Sequence, residues 1–333
     1  MSSSSSSSSS KAGAALAERA AAKALQVEQV ESEASAERAS KRAKVQFREV
    51  EYTLTINSPH SFKSACDIVS NVLINTHFHV VSTPTFSGLR IDSVDPGCVC
   101  MVKARFACTV ELAKGQSADH HFCVRMKTLN TLLKHISAQH VLQIVKYADS
   151  PHILLRAFDK KDETSNIEFT LKTINEKCED LGLFNMDSKY TVEIDLSMFK
   201  SICKMCKDIK APVVQFKISV RPGEPDLYFN LSSEGDEAIL NYTFHSTSDE
   251  STDGKDVIIH AKSRPLQHQP KEEDLQVVYQ ERFSADFLNL FMKSMEKQTI
   301  YMTVAPDRPL ILHYNLGAYK SYIRFVLAPK VSE

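Results

Sequence analysis

The 333-residue chain carries 40 basic and 41 acidic side chains, a formal net charge of −1, and is 43% hydrophobic and 24% charged. Such a balance buries a core and keeps the surface soluble, and its local basic stretches leave a nucleic-acid partner open. No apolar run is long enough to span a bilayer, so no membrane partner is expected, and the eight cysteines are scattered as in a reducing compartment.

Residues 1–45 stand apart. Ser2 to Ser10 is a homopolymer, and Lys11 to Lys44 is rich in Ala, Glu, Lys and Arg. The serines have no apolar surface to bury, which predicts disorder; the Ala-rich part predicts a mobile or transiently helical tail. This stretch lacks the apolar segment of a secretory signal. Ser40-Lys41-Arg42-Ala43-Lys44 reads as a nuclear-import signal, as a DNA-attracting arm or as a solvated charge run.

A repeat comes next. Residues 52–66 read Tyr-Thr-Leu-Thr-Ile-Asn-Ser-Pro-His-Ser-Phe-Lys-Ser-Ala-Cys, and 190–203 read Tyr-Thr-Val-Glu-Ile-Asp-Leu-Ser-Met-Phe-Lys-Ser-Ile-Cys. Leu129-Asn130 with Lys134 then matches Leu288-Asn289 with Lys293, and Ala148-Asp149-Ser150-Pro151 matches Ala305 to Pro309. Three matches in one order predict a duplicated domain. In each copy an alternating strand (Tyr52, Leu54, Ile56; Tyr190, Val192, Ile194) leads into an amphipathic helix. Phe62, Ala65, Cys66, Val69 and Leu73 share one face of the first such helix, and Phe199, Ile202, Cys203 and Cys206 one face of the second. Short strands come after it, at 89–93, 99–106 and 109–113 in the first copy, then a second helix at 127–136 and 285–296, then more strands. Strands outnumber helices without regular alternation, so the fold class is α+β.

Metal and catalytic signals are weak. Cys203-x-x-Cys206 has no second pair, and both thiols fall on an apolar helix face, the usual place of core cysteine. Cys98-x-Cys100 would share one face of a strand without partner ligands, and His120-His121 reads as a polar loop before a strand. No metal and no cofactor are expected. No Gly-rich phosphate loop, His-Glu-x-x-His or Gly-x-Ser-x-Gly is present, so no enzyme is expected.

Gly88-Leu89-Arg90-Ile91-Asp92-Ser93-Val94-Asp95, with Val99 and Met101, Leu181-Gly182-Leu183, and Phe325-Val326-Leu327-Ala328-Pro329-Lys330-Val331 together resemble the proliferating cell nuclear antigen family of DNA sliding clamps. The resemblance covers 47–331. It implies a DNA clamp fold of two tandem β-α-β-rich domains, at 46–172 and 190–333, joined by a connecting loop at 173–189. It further implies a closed ring of three subunits, helices lining the hole and sheets outside. Such a homotrimer is a processivity factor in DNA replication and repair in the nucleus, or at a viral replication site. It encircles double-stranded DNA without sequence readout, tethers DNA polymerase and other peptide-motif partners, and depends on a separate clamp loader ATPase. Alternatives are a subunit of a heterotrimeric clamp and a monomeric scaffold that does not encircle DNA.

The same resemblance implies the site residues. Lys200, Lys204 and Lys207, at i, i+4 and i+7, would face DNA, with Lys293 and Lys297 on the next helix and Lys63 and Lys134 in the first copy, where Asp67 occupies the place corresponding to Lys204. The competing reading of these lysines is ordinary solvated charge. The partner-peptide pocket would comprise Val94, Val99, Met101, Leu181, Gly182, Leu183, Pro309, Val326, Ala328 and Pro329, with Val326 where an aromatic is usual and Cys98 where a histidine is usual. Subunit edges would carry Ile167, Phe169 and Leu171, and Ile239, Asn241 and Thr243. The polar stretch 246–275 reads as a surface loop.

Overall fold

A computed structural model of the chain describes residues 49–113, 120–161, 166–176, 190–223, 226–247, 249–250, 257–261, 274–293, 299–317 and 320–330. The chain divides into two compact units, Met1–Glu49 and Val50–Glu333, and the described strands and helices lie in the second. The expectations for the 1–45 tail, including the Ser40–Lys44 stretch, fall outside the described residues, as does most of 246–275. The surface-loop reading of that stretch is corrected where it is described: Val257–Ala261 is a strand whose Ile259 and Ala261 are buried in the core, because pairing with Tyr190–Asp195 outweighs the polar surroundings.

The first copy runs β1 (Val50–Ile56), α1 (Pro59–Val72), β2 (Asn75–Ser82), β3 (Ser87–Val94), β4 (Cys100–Ala107), β5 (Thr109–Leu112), β6 (His120–Arg125), α2 (Met126–Leu133), β7 (His140–Tyr147), β8 (His152–Asp159) and β9 (Asn166–Lys172). The second runs β10 (Tyr190–Asp195), α3 (Leu196–Asp208), β11 (Val213–Val220), β12 (Asp226–Glu234), β13 (Ile239–Thr247), β14 (Asp249–Glu250), β15 (Val257–Ala261), β16 (Gln276–Ser284), α4 (Ala285–Met292), β17 (Thr299–Val304), β18 (Leu310–Asn315) and β19 (Tyr322–Leu327).

Local sequence accounts for the opening elements of both copies. Alternation buries Tyr52, Leu54 and Ile56 in β1 and Tyr190, Val192 and Ile194 in β10. The α1 face of Phe62, Ala65, Cys66 and Val69 is buried, as is that of Phe199, Ile202, Cys203 and Cys206 in α3. Pro59 starts α1 with its φ preset, whereas Asp195 caps α3 by accepting from the Ser197 and Met198 amides at 2.8 and 3.1 Å. That change of starting device coincides with the one-residue slip between the repeats.

The sheets repeat as the sequence does. A five-stranded sheet has the order β5-β1-β7-β8-β9, and its counterpart β15-β10-β17-β18-β19 has the same order. Likewise β6-β2-β3-β4 corresponds to β16-β11-β12-β13. The copies differ at one place: β5 runs antiparallel to β1, whereas β15 runs parallel to β10 and carries β14 on its outer side. Where the copies meet, β19 pairs antiparallel with β4, Tyr322 opposite Arg105 and Leu327 opposite Cys100, making one ten-stranded sheet. Helices cover this seam on the core side. The Phe62 ring of α1 meets Phe106 of β4 edge-on at 5.0 Å, and the Phe291 ring of α4 stacks on Phe325 of β19 at 4.2 Å.

Backbone details shape the spacing and the edges of these sheets. Gly88 has φ +150°, and a Cβ there would lie 2.0 Å from the Phe106 carbonyl oxygen, so the motif glycine permits close approach of β3 and β4. The segment after β9 hooks onto the edge strand β6, the Ile174 amide donating to the Cys123 carbonyl at 2.8 Å. The segment after β19 hooks onto β16 in the same way, from the Lys330 amide to the Arg282 carbonyl at 2.7 Å.

Candidate functional site

Basic side chains gather on the solvent face of the helices. Lys204 and Lys207 are exposed on α3 and Lys200 is half-buried one turn earlier, so the i, i+4, i+7 stripe lies beside the Phe199–Cys206 core face. Lys134 is exposed at the C-cap of α2, and Lys293 is exposed just past α4; Lys297 lies outside the described residues. Lys63 is otherwise engaged: its ammonium donates to the Ile136 carbonyl and ties α1 to the end of α2. Asp67 has a structural task, accepting from Asn130 Nδ2 at 2.7 Å across the α1–α2 contact. Two basic residues went unread in the sequence. Lys127 is exposed and stands with Thr131 and Lys134 at i, i+4 and i+7 on α2, and the exposed Arg125 immediately precedes that helix. The same spacing argument applied to α3 would have found Lys127.

On the opposite face of the ten-stranded sheet, an apolar row crosses four strands. Val94 pairs with Met101, Met101 with Val326, and Val326 with Ile311. Val326 and Ile311 are 6% and 8% exposed, yet neither belongs to the main core, whose side chains on β18 and β19 are Leu310, Leu312, Tyr314, Ile323, Phe325 and Leu327. Ala328 extends the pairing by donating to the Val99 carbonyl at 2.9 Å, with Pro329 next in the chain, and Pro309 leads into β18. The structure therefore brings together Val94, Val99, Met101, Val326 and Ala328 and adds Ile311, which the alternation of β18 signalled. Leu181, Gly182 and Leu183 lie outside the described residues.

A turn between β3 and β4 fixes one end of this row. Asp95 is 7% exposed, and its carboxylate accepts from the amides of Gly97 at 2.8 Å, Val99 at 2.7 Å and Cys100. Replacing Asp95 with alanine leaves those donors without their acceptor. The expected cost is about 3 kcal/mol, measured by urea denaturation, with the loss concentrated in amide protection at 95–100. Cys98 sits in the turn at φ +53° and is exposed, while Cys100 is buried in β4. The expectation that these two share a strand face is corrected, because the turn places Cys98 outside the strand.

Sheet edges hold the proposed interface residues. On β9, Ile167 and Phe169 pack partly against the core and Leu171 is buried. On β13 the side chains that turn to the core are Leu240, Tyr242 and Phe244; Ile239 is 67% exposed on the other face, with Asn241 and Thr243. Thr243 accepts from Asn230 at 2.8 Å.

The cysteine pair of α3 is core. Burial pushes the Cys203 and Cys206 thiols above their ordinary pKa, so both stay protonated. His120 and His121 are not in a loop. Both belong to β6, because pairing with β2 rather than local polarity decides the segment, and His120 Nδ1 lies 2.9 Å from Glu51.

Two like-ordered copies, each with two sheets and two helices, joined through one continuous sheet, define a sliding-clamp fold. Among solved structures, the chain resembles the proliferating cell nuclear antigen of Entamoeba histolytica, with a TM-score of 0.63 at 14% identity, covering 85% of this chain and 100% of that one. It resembles that of Thermococcus kodakaraensis with a TM-score of 0.62 at 14% identity, covering 84% and 100%. In sequence it is 21% identical over 256 residues to the proliferating cell nuclear antigen of Chaetomium thermophilum, covering 74% of this chain and 87% of that protein. No family model matches the chain. The resemblance read from the motifs is borne out, and the fold is that of proliferating cell nuclear antigen.

Proposed function

We propose that the chain is one subunit of a homotrimeric ring that encircles duplex DNA and tethers DNA polymerase and other replication and repair proteins. One observation carries this reading. Inside the chain, β4 of the first copy pairs with β19 of the second; the corresponding strands, β13 and β9, each end a sheet. A second molecule satisfies both edges by repeating the internal seam. This head-to-tail contact closes into a ring when the rotation suits, and it consumes edges that otherwise invite aggregation. Transferring the β19–β4 register through the correspondence of the copies sets Asn166 opposite Thr243, Ile167 opposite Tyr242 and Phe169 opposite Leu240.

In this reading the copies span 46–172 and 190–333 with 173–189 connecting them, and the helix lysines, Lys127 included, face phosphates without reading bases. The row Val94, Met101, Val326 and Ile311 forms the floor of a peptide-docking surface, a role of binding rather than catalysis. Val326 in place of an aromatic favours peptide anchors bulkier than those that dock beside an aromatic wall. A separate ATPase loads the ring, and the working place is the nucleus or another site of replication.

The test is topological. Loaded onto nicked circular DNA by a clamp loader, the protein should stay bound at moderate salt and be released when the circle is cut. Equal retention on circular and linear DNA would refute encirclement and leave the monomeric scaffold.

A further inference from the structure

From this geometry we infer that His77, Cys123 and Glu176 form a structural zinc site that staples the segment after β9 to the free edge of the ten-stranded sheet. His77 of β2 and Cys123 of β6 face each other directly in the strand register. The Ile174 hook then carries Glu176 to the same spot, and the ligand atoms of the three side chains all lie within 4.8 Å of one another. Zinc bonds to sulfur, nitrogen and oxygen of 2.0–2.3 Å place tetrahedral ligands about 3.5 Å apart, which side-chain rotation supplies here. A thiolate, an imidazole and a carboxylate suit zinc, whereas calcium and magnesium take oxygen ligands.

One second-sphere group is already in place: Asn75 Nδ2 donates to Glu176 Oε2 at 3.1 Å. The Cys123 thiol donates to the same oxygen at 3.6 Å, so two of the ligands already touch. His77 Nδ1 is buried and has no hydrogen-bond partner among the described residues, an unfavourable arrangement that a bound metal ion relieves. The exposed His121, whose ring centroid is 6.4 Å from that of His77, or a water completes the fourth position. On binding, the Cys123 thiol releases its proton to solvent, and thiolate plus carboxylate balance the dication.

The duplication supplies an internal control. The same hook in the second copy, Lys330 onto Arg282, has Gln215 opposite Arg282 in register. The backbone contact thus forms without histidine or cysteine, and the fold does not account for the ligand set of the first copy.

The experiment uses the full chain, reduced and stripped of metal with a chelator, and titrated with Co²⁺ as a spectroscopic probe. An equimolar amount should produce thiolate-to-cobalt charge-transfer absorption that Zn²⁺ then abolishes. Cys123→Ser should remove the band, and His77→Gln and Glu176→Gln, both outside the core, should each weaken binding roughly tenfold or more. Cys98→Ser, at the exposed thiol, should change nothing. Zn²⁺ should also slow hydrogen exchange at the Ile174 amide in the parent chain but not in Glu176→Gln. Absence of the band, or a band that survives both the His77 and Glu176 substitutions, overturns the site.

Discussion

Phe169→Asp should turn a trimer into a folded monomer. The transferred register sets Phe169 of β9 opposite Leu240 of β13, with Ile167 and Tyr242 next to them on the same face. A carboxylate there faces an apolar strip from the neighbouring molecule and must be desolvated without a partner. Aromatic anchors at such centres contribute about 2–4 kcal/mol, and the penalty recurs at each of the three seams. Association should weaken about 30- to 1000-fold per seam. Because Phe169 only partly packs on its own core, the monomer should keep its circular dichroism spectrum and most of its thermal stability. Light scattering coupled to size exclusion reads the mass directly. A parent chain that is already monomeric at micromolar concentration would sink the ring, and a parent that trimerises only with a second, different chain would establish the heterotrimer.

The second large effect is electrostatic. Lys200, Lys204 and Lys207 changed together to alanine should reduce the slope of log affinity against log salt by about 0.9 for each phosphate no longer neutralised, close to three for each subunit that contacts DNA. The affinity of the assembled ring for duplex DNA at low salt should fall about tenfold or more, while the trimer mass is unchanged. Lys127→Ala with Lys134→Ala should reduce the slope by about two for each subunit that contacts DNA, which separates a lining shared by both copies from one confined to α3. An unchanged slope in both variants would mean that these side chains are ordinary solvated charges.

How much of the molecule is legible in its sequence depends on the range of the interaction that decides each feature. The duplication, the buried faces of β1 and α1 and the core role of Cys203 and Cys206 come from periodicities of two and 3.6 residues, which the chain carries locally. His120 and His121 read as loop because two adjacent polar residues carry no strand signal; only pairing with β2 makes them a strand. Cys98 and Cys100 are separated by a turn that Asp95 organises, a device invisible to alternation. On β13 the sequence choice of Ile239, Asn241 and Thr243 took the solvent face, since Ile239 is as apolar as Leu240 and only the sheet beneath tells them apart. The candidate zinc ligands come from β2, β6 and the segment after β9, so no short spacing announces them.

The continuous ten-stranded sheet has a further consequence for how such a ring opens. A closed trimer would contain six seams of one geometry, alternately inside a chain and between chains. Within a chain the partner strands are tethered, so each sees the other at an effective concentration on the order of millimolar, and a momentary separation rejoins before anything intervenes. Between chains the same hydrogen bonds are backed only by free protein concentration. Any force applied evenly around the ring is therefore released at the three untethered seams, and opening at one of them leaves every subunit's core intact.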